Sequence, residues 1–125
     1  MYWCFFCYAV NDRPAGACAR CGRPIEGPAN LSRTDQMVWA LHHPDGARAV
    51  MAARRIGSTG TSQAVPELRR IVESPDSDPY VAAESLRAVI PIEGAPQLRG
   101  WLDELQASGN TAVVRRIAEQ ARAKA

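Results

Sequence analysis

Four cysteines in two closely spaced pairs constrain the fold of this chain more than any other feature. Cys4 and Cys7 form one Cys-x2-Cys pair, Cys18 and Cys21 form the second, and ten residues separate the pairs. Two residues between cysteines bend the chain into a knuckle whose sulfurs point at one metal ion, and two knuckles complete a closed tetrahedral site. The spacing therefore predicts one structural Zn²⁺ ion bound by all four cysteines.

Two disulfides, or an iron ion held by four sulfurs, are the alternatives for the same cysteines. The chain has no apolar stretch behind a basic start and no long apolar run, so we expect a cytoplasmic protein with reduced thiols and no membrane contact. A segment of about 25 residues buries too little apolar surface to fold alone, whereas zinc supplies roughly 10 to 16 kcal/mol. Metal binding and folding of residues 1–27 are therefore expected to occur together.

Aromatic residues surround the first cysteine pair. We call residues 1–27 the finger. Its small core is expected to consist of four aromatic side chains, which then do not act as a platform for a ligand: Trp3, Phe5, Phe6 and Tyr8. Alternatively, Phe5, Phe6 and Tyr8 cover the exposed apolar end of the region that follows.

The spacing Cys7-x3-Asn11-x6-Cys18-x2-Cys21, with Trp3 before Cys4, resembles the Ran-binding-protein type of zinc finger. That family folds as two short β-hairpins around one zinc, and its members bind single-stranded RNA or ubiquitin. This chain carries Asp12 where the RNA-binding members have a stacking aromatic residue. It carries Tyr8 and Ala9 where the ubiquitin-binding members have Thr-Phe. The resemblance therefore implies the finger's fold and its metal, and neither ligand.

The composition changes near Pro28, after which there is no cysteine and the chain is rich in Ala, Arg, Leu and Val. We predict a linker over 28–33 and a helical domain over 34–125. Apolar residues recur there at helical spacing between short breaks. The fold class is therefore mainly α, and the six predicted helices cover 34–43, 46–56, 63–74, 79–90, 95–107 and 111–123.

Predicted helix caps recur at a nearly constant interval. Asp45, Asp78 and Asn110 are separated by 33 and 32 residues, and each opens a predicted helix. Gly57 and Gly109 are expected to follow helix ends. The positions three, seven, eight and eleven residues after each cap are mostly small or apolar, and we expect them to form one inward face.

The helices that precede these also repeat, since Pro66-x-Leu68-x2-Ile71-Val72 matches Pro96-x-Leu98-x2-Trp101-Leu102 at a shift of 30. This pattern resembles HEAT-like repeats of the phycobilisome-lyase type. The resemblance implies a short, right-handed α-solenoid of three helix pairs, whose second helices line a protein-binding surface. Lyase activity is not carried over, because most proteins with such repeats are scaffolds.

The outward side of the second helices carries a candidate partner surface, which we call the arginine ridge. We expect it to bind an acidic segment of a protein partner, because arginine forks pair well with carboxylates. Nucleic acid is the second choice, since a bound zinc would bring the net charge of +2 to about zero. The alternative, for any one of these arginines, is that it lies on a solvent-exposed helix face and binds no partner. The ridge comprises Arg54, Arg55, Tyr80, Arg87, Arg115 and Arg116.

No residue pattern indicates an enzyme or a small-molecule substrate, and no catalytic residue is predicted. His42 and His43 are assigned to a favourable position near a helix C-terminus rather than to a metal site. Trp39 and Trp101 are expected in the core. The sequence therefore predicts a zinc-binding adaptor, with an RNA- or ribosome-associated factor second and an enzyme accessory protein third.

Overall fold

The computed structural model describes residues 2–28 and 30–125. Met1, in the predicted finger, and Ala29, in the predicted linker, lie outside the described residues. Within them the chain is mainly helical, with six α-helices after a small two-stranded sheet. The strands are β1 (Tyr2–Trp3) and β2 (Val10–Asn11), and the helices are α1 (Arg33–Ala40), α2 (Gly46–Thr59), α3 (Val65–Glu73), α4 (Pro79–Glu93), α5 (Arg99–Ser108) and α6 (Ala112–Ala123).

The sheet is the first hairpin of the cysteine-rich segment. β1 and β2 are antiparallel, and Trp3 lies opposite Val10. A single antiparallel bridge between Ala17 and Pro24 stands in the place of a second hairpin. The knuckles around the cysteines, described below, therefore hold this segment together more than strand pairing does.

Two of the three predicted caps are confirmed. The Asp45 carboxylate accepts a hydrogen bond from the N–H of Ala47 at the start of α2. The Asp78 carboxylate accepts from Tyr80 and Val81 at the start of α4, where Pro79 occupies the first helical position. Each carboxylate satisfies N–H groups that have no partner inside the helix.

The predicted cap at Asn110 is wrong. Thr111 caps α6 instead, and its hydroxyl accepts a hydrogen bond from the N–H of Val114. The Asn110 side chain donates to the carbonyl of Glu73 at the end of α3. A tertiary contact has thus taken a residue whose local preference is for the cap, and the neighbouring threonine has replaced it.

The predicted helix end at Gly57 is also wrong. α2 continues to Thr59 and ends at Gly60, whose φ of 68° is left-handed. A Cβ atom added at Gly57 would lie only 3.1 Å from the Cα of Ala88 in α4. Gly57 therefore permits close approach of two helices and does not stop one, whereas Gly109 follows α5 as predicted.

α2 and α4 run parallel to each other. Near their first residues, a Cβ at Gly46 would lie 3.7 Å from the Asp78 carboxylate, and near their ends Gly57 meets Ala88. α4 is central, because it packs against α2, α3 and α6, while α1 packs on α2 and α5 on α6. The helices form one body, residues 33–123.

One apolar core runs through the helical body. The positions seven and eight residues after each predicted cap are buried, as expected. The position three residues after is exposed at Arg48 and Val113, and the next position is buried instead, which is the normal spacing of one helix face. The recurring buried residues are Ala49, Ala52, Ala53, Ile56, Ala82, Ser85, Leu86, Val89, Val114, Ile117 and Ala118.

The helix lengths bear on membrane insertion. α4 has 15 residues, whereas a bilayer-spanning helix needs about 20 apolar ones. Within the described residues, no helix has the length and apolar character needed to cross a membrane.

Candidate metal centre and partner surface

The four cysteine sulfurs converge on one point. All four Sγ atoms lie within 4.8 Å of one another, with 3.6 Å between Cys4 and Cys21 and 3.6 Å between Cys7 and Cys18. A disulfide would bring two sulfurs to about 2.05 Å, and all four cysteines are free. Sulfurs around a tetrahedral zinc, at about 2.3 Å from the ion, stand about 3.8 Å apart. The cluster can therefore hold a metal ion.

The two knuckles share one backbone pattern. In each, the N–H of the first cysteine donates to the carbonyl five residues later, and its carbonyl accepts from the N–H four residues later. The bonds are Cys4 to Ala9, Tyr8 to Cys4, Cys18 to Arg23 and Gly22 to Cys18, all between 2.8 and 3.0 Å. The backbone alone thus aims each pair of sulfurs inward.

The residue after each knuckle has a left-handed backbone. Gly22 has a φ of 77°, as its position suggests, and Tyr8 has a φ of 62° at the equivalent place. A side chain in this conformation costs on the order of 1 to 3 kcal/mol. Tyr8 therefore needs a compensating contact, which its ring and hydroxyl make with the helical body.

Asn11 connects the two knuckles. It is buried, and its side-chain N–H₂ donates to the carbonyl of Ala9 and to the Sγ of Cys18 at 3.1 and 3.5 Å. Its side-chain oxygen accepts from the N–H of Ala19 at 3.0 Å. These bonds fix the second knuckle relative to the first.

Hydrogen-bond donors favour the thiolate at Cys18. The backbone N–H of Cys21 is the largest cause that lowers the pKa of the Cys18 thiol, to about 6, and the Arg20 N–H and the Asn11 side chain act in the same direction. The Arg20 N–H lies 3.4 Å from the sulfur. Burial and the contact with Cys18 raise the pKa of the Cys7 thiol to about 11. A thiolate is the form that binds a metal ion, so of these two ligands Cys18 reaches that form first.

The predicted aromatic core of the finger is wrong. Its buried core consists of Cys4, Cys18 and Ile25, while Phe6 is exposed. Phe5 and Tyr8 face α1, because the four cysteines occupy the centre of so small a segment. The second expectation, that these rings cover the end of the helical region, agrees with the positions of Phe5 and Tyr8 but not with that of Phe6.

Trp39 of α1 joins the finger to the helical body. Its indole is stacked by Phe5 and Tyr8, with ring centroids 5.5 and 5.1 Å away. The Tyr8 hydroxyl donates to the Trp39 carbonyl at 2.6 Å, and the Trp39 indole N–H donates to the Phe5 carbonyl. Trp39 is half-buried in this junction, whereas Trp101 lies in the helical core as expected.

The two adjacent histidines have different surroundings. His43 is buried, and Trp3 lies edge to face with it at 4.4 Å. Its Nδ1 accepts from the Asp45 N–H, and its Nε2 has no hydrogen-bond partner among the described residues. His42 is exposed, and its Nε2 lies 2.6 Å from the Glu67 carboxylate. Neither joins the cysteine cluster. Both follow the C-cap of α1, Leu41, and their backbone N–H groups donate to the carbonyls of Trp39 and Ala40, so they lie near a helix C-terminus as expected.

The structure brings together part of the arginine ridge. Arg54, Tyr80 and Arg87 line a groove of about 790 Å³ between α2 and α4. Arg115 and Arg116 line a neighbouring hollow on α6, which Arg87 also borders. Arg55 does not line the groove. It lines a hollow between α1 and α2 with Arg33 and Arg48, which adjoins the groove at Met51.

The groove has exposed apolar side chains in its lining, which the sequence revealed only in part. Met51, Tyr80 and Val113 are exposed there by 66, 77 and 47%. Val113 was expected to face inward, because the cap of α6 was placed one residue early. Taking Thr111 as the cap would have found it. The Glu84 carboxylate lies 3.4 Å from Arg54 and 3.0 Å from Arg87, so two cations share one anion at the rim.

The sequence matches no protein-family model and no curated protein, and the fold matches no solved structure.

Proposed function

We propose that this chain is a non-enzymatic, cytoplasmic zinc-binding adaptor whose helical body binds a protein partner that carries an acidic segment. One observation carries the proposal. Three exposed apolar side chains, Met51, Tyr80 and Val113, share one groove, and Arg54 and Arg87 border it. Contiguous exposed apolar surface ringed by polar groups is typical of protein interaction sites.

Zinc is the proposed occupant of the cysteine cluster. Four thiols at tetrahedral spacing form a set of soft ligands with no open position, which suits a structural zinc ion. In this proposal the finger is of the Ran-binding-protein type and holds its shape beside α1. Metal analysis of the purified chain tests it, and we expect about one zinc per chain.

The helical body is proposed to be a short solenoid of HEAT-like pairs, formed by α1 with α2, α3 with α4 and α5 with α6. The recurring buried positions and the parallel packing of α2 against α4 support this reading. In such a stack the second helices form one continuous surface. The groove and the hollow on α6 both belong to that surface.

Charge reversal on the ridge tests the adaptor proposal. Arg87→Glu combined with Arg116→Glu places two negative charges beside the groove and should remove partners that are captured by the tagged wild-type protein. Arg99→Glu combined with Lys124→Glu is the matched control, because these exposed residues lie outside the groove and carry the same charge change. Equal capture by both variants would contradict the proposal.

Single-stranded RNA is the second candidate ligand. Phe6 is exposed on the finger, and the Arg23 guanidinium lies 5.1 Å from the centre of its ring. An exposed aromatic ring beside an arginine is a stacking platform for bases. Affinity for a labelled RNA that falls steeply with added salt, and falls again in Phe6→Ala, would favour this function over protein binding.

A further inference from the structure

We infer that the groove between α2 and α4 takes a short amphipathic α-helix whose first turn is acidic. The inference rests on the proposed function, since it names the shape and charge of the partner segment. Three features of the groove support it. They are the residues that line it, the backbone hydrogen bonds that its walls already make, and the distribution of charge along it.

The two walls of the groove are equivalent. They consist of the same five positions of α2 and α4 at a constant offset of 33 residues, and Val113 of α6 also lines the groove. Because α2 and α4 run parallel, the walls stay side by side over about 12 Å, or two helical turns. The wall residues are Gly46, Ala47, Val50, Met51 and Arg54 on α2, and Pro79, Tyr80, Ala83, Glu84 and Arg87 on α4.

The backbone of these walls favours a helical ligand over an extended one. Every wall residue lies within α2 or α4, where main-chain groups bond within the helix, and side chains cap the first N–H groups of both. An extended peptide would find no sheet edge with which to pair its own N–H and C=O groups. A helical segment satisfies those groups internally and needs only side-chain packing.

The groove offers several apolar side chains to one face of such a helix. Met51, Tyr80 and Val113 come from three different helices and are exposed in the same groove. A ligand helix meets such a surface with apolar residues at i, i+3 or i+4, and i+7. Two turns of wall accommodate three such anchors.

Charge along the groove orients the ligand. Asp78 lies at the end where α2 and α4 begin. At the other end, Arg54 and Arg87 share the Glu84 carboxylate, which leaves one net positive charge there. Acidic residues stabilise the first turn of a helix through its dipole, so a helix whose acidic first turn meets these arginines gains from both contacts. It then runs antiparallel to α2 and α4.

The experiment uses the zinc-loaded chain of residues 1–125 labelled with ¹⁵N and three synthetic peptides of identical composition and about 14 residues. The first peptide has an apolar stripe and a glutamate-rich first turn. The second has the same stripe with the glutamates in its last turn. The third has its apolar residues distributed around the helix. We expect saturable amide shifts at Ala47, Met51, Tyr80 and Val113 with the first peptide, and binding at least about fivefold weaker with the other two.

Two variants locate the binding. Tyr80→Ala should weaken the first peptide about tenfold, because it removes a large apolar contact from the groove. Tyr2→Ala is the matched control, since this residue is an exposed tyrosine on the finger and should leave affinity unchanged. Shifts that are absent at about 1 mM peptide, or that appear away from the groove, overturn the inference.

Failure of this inference is distinguishable from failure of the adaptor proposal. If the third peptide binds the groove as tightly as the first, a protein ligand stands and its helical shape is wrong. If charge reversal at Arg87 and Arg116 leaves all captured partners unchanged, the adaptor proposal itself fails. Self-association that rises with protein concentration and shifts the same four amides would identify a second copy of the chain as the occupant instead.

Discussion

The finger and the helical body hold their shapes by different means. In the finger the buried set is Cys4, Cys18 and Ile25, and order comes from the two knuckles and the convergent sulfurs. In the body an apolar core runs from α2 to α6 without a break. The stability of the finger therefore depends on metal binding by its cysteines, and that of the helical body on buried apolar area.

α1 shows where the two regions meet. None of its residues is fully buried, and it has eight residues, which is too short to be stable alone. Its Trp39 is stacked by the finger, while other apolar residues of α1 pack on the body. The first helix is thus supported from both sides, and the independence of the two supports can be tested by substitution.

Loss of a cysteine should give the largest effect. Cys18→Ser removes a metal ligand, and zinc binding supplies roughly 10 to 16 kcal/mol to a module of this kind. We expect zinc to be lost and the amide signals of residues 2–28 to collapse, while those of α2 to α6 persist. Metal analysis and ¹H–¹⁵N spectra measure this. Simultaneous unfolding of the body would show that the two regions form one cooperative unit.

A cavity in the core of the helical body should destabilise the body and leave the metal site of the finger intact. Leu86 is fully buried, and Leu86→Ala should lower the free energy of unfolding of the body by about 2 to 5 kcal/mol. The chain should still bind its zinc. Urea unfolding followed by circular dichroism gives the first quantity, and metal analysis gives the second. Met51→Ala is the control, because Met51 is exposed in the groove, and it should change stability by less than about 0.5 kcal/mol.

The junction should show an intermediate effect. Trp39→Ala removes two stacking contacts and the indole hydrogen bond, which together contribute about 1 to 3 kcal/mol. Hydrogen exchange should accelerate in α1 and stay unchanged in α4. Tyr8→Phe, which removes only the hydroxyl that bonds the Trp39 carbonyl, should give a smaller change in the same direction. Equal protection of α1 in all three proteins would contradict this account of the junction.

The smallest effect should be a pH dependence at His43. Burial, and after it the charge of Arg48, lower the pKa of this imidazole, while Asp45 opposes them. The unfolded chain then binds more protons below about pH 6.5, so stability should fall as pH falls through that value. His43→Phe should flatten the profile as pH falls below about 6.5. Parallel profiles for the two proteins would rule out this role.

Short-range patterns in the sequence correctly predicted features that depend on residues close together in the chain. The spacing of the cysteines indicated the cluster, and Asp45 and Asp78 indicated two helix starts correctly. Errors arose where a distant contact overrode a local preference: Gly57 faces Ala88, and Asn110 bonds Glu73. Periodicity placed Trp39 on an apolar stripe, but the finger covers it, because a stripe does not specify which neighbour it meets.

The backbone of Tyr8 has a consequence for protein engineering. Glycine would adopt its φ of 62° without strain, yet the chain keeps a tyrosine there, and its hydroxyl reaches the carbonyl of Trp39. An excised finger would retain the strain and lose the contact that offsets it. Residues 2–28 transplanted onto another scaffold should therefore be more stable with Tyr8→Gly. The same substitution in the intact chain should weaken the contact between the finger and α1.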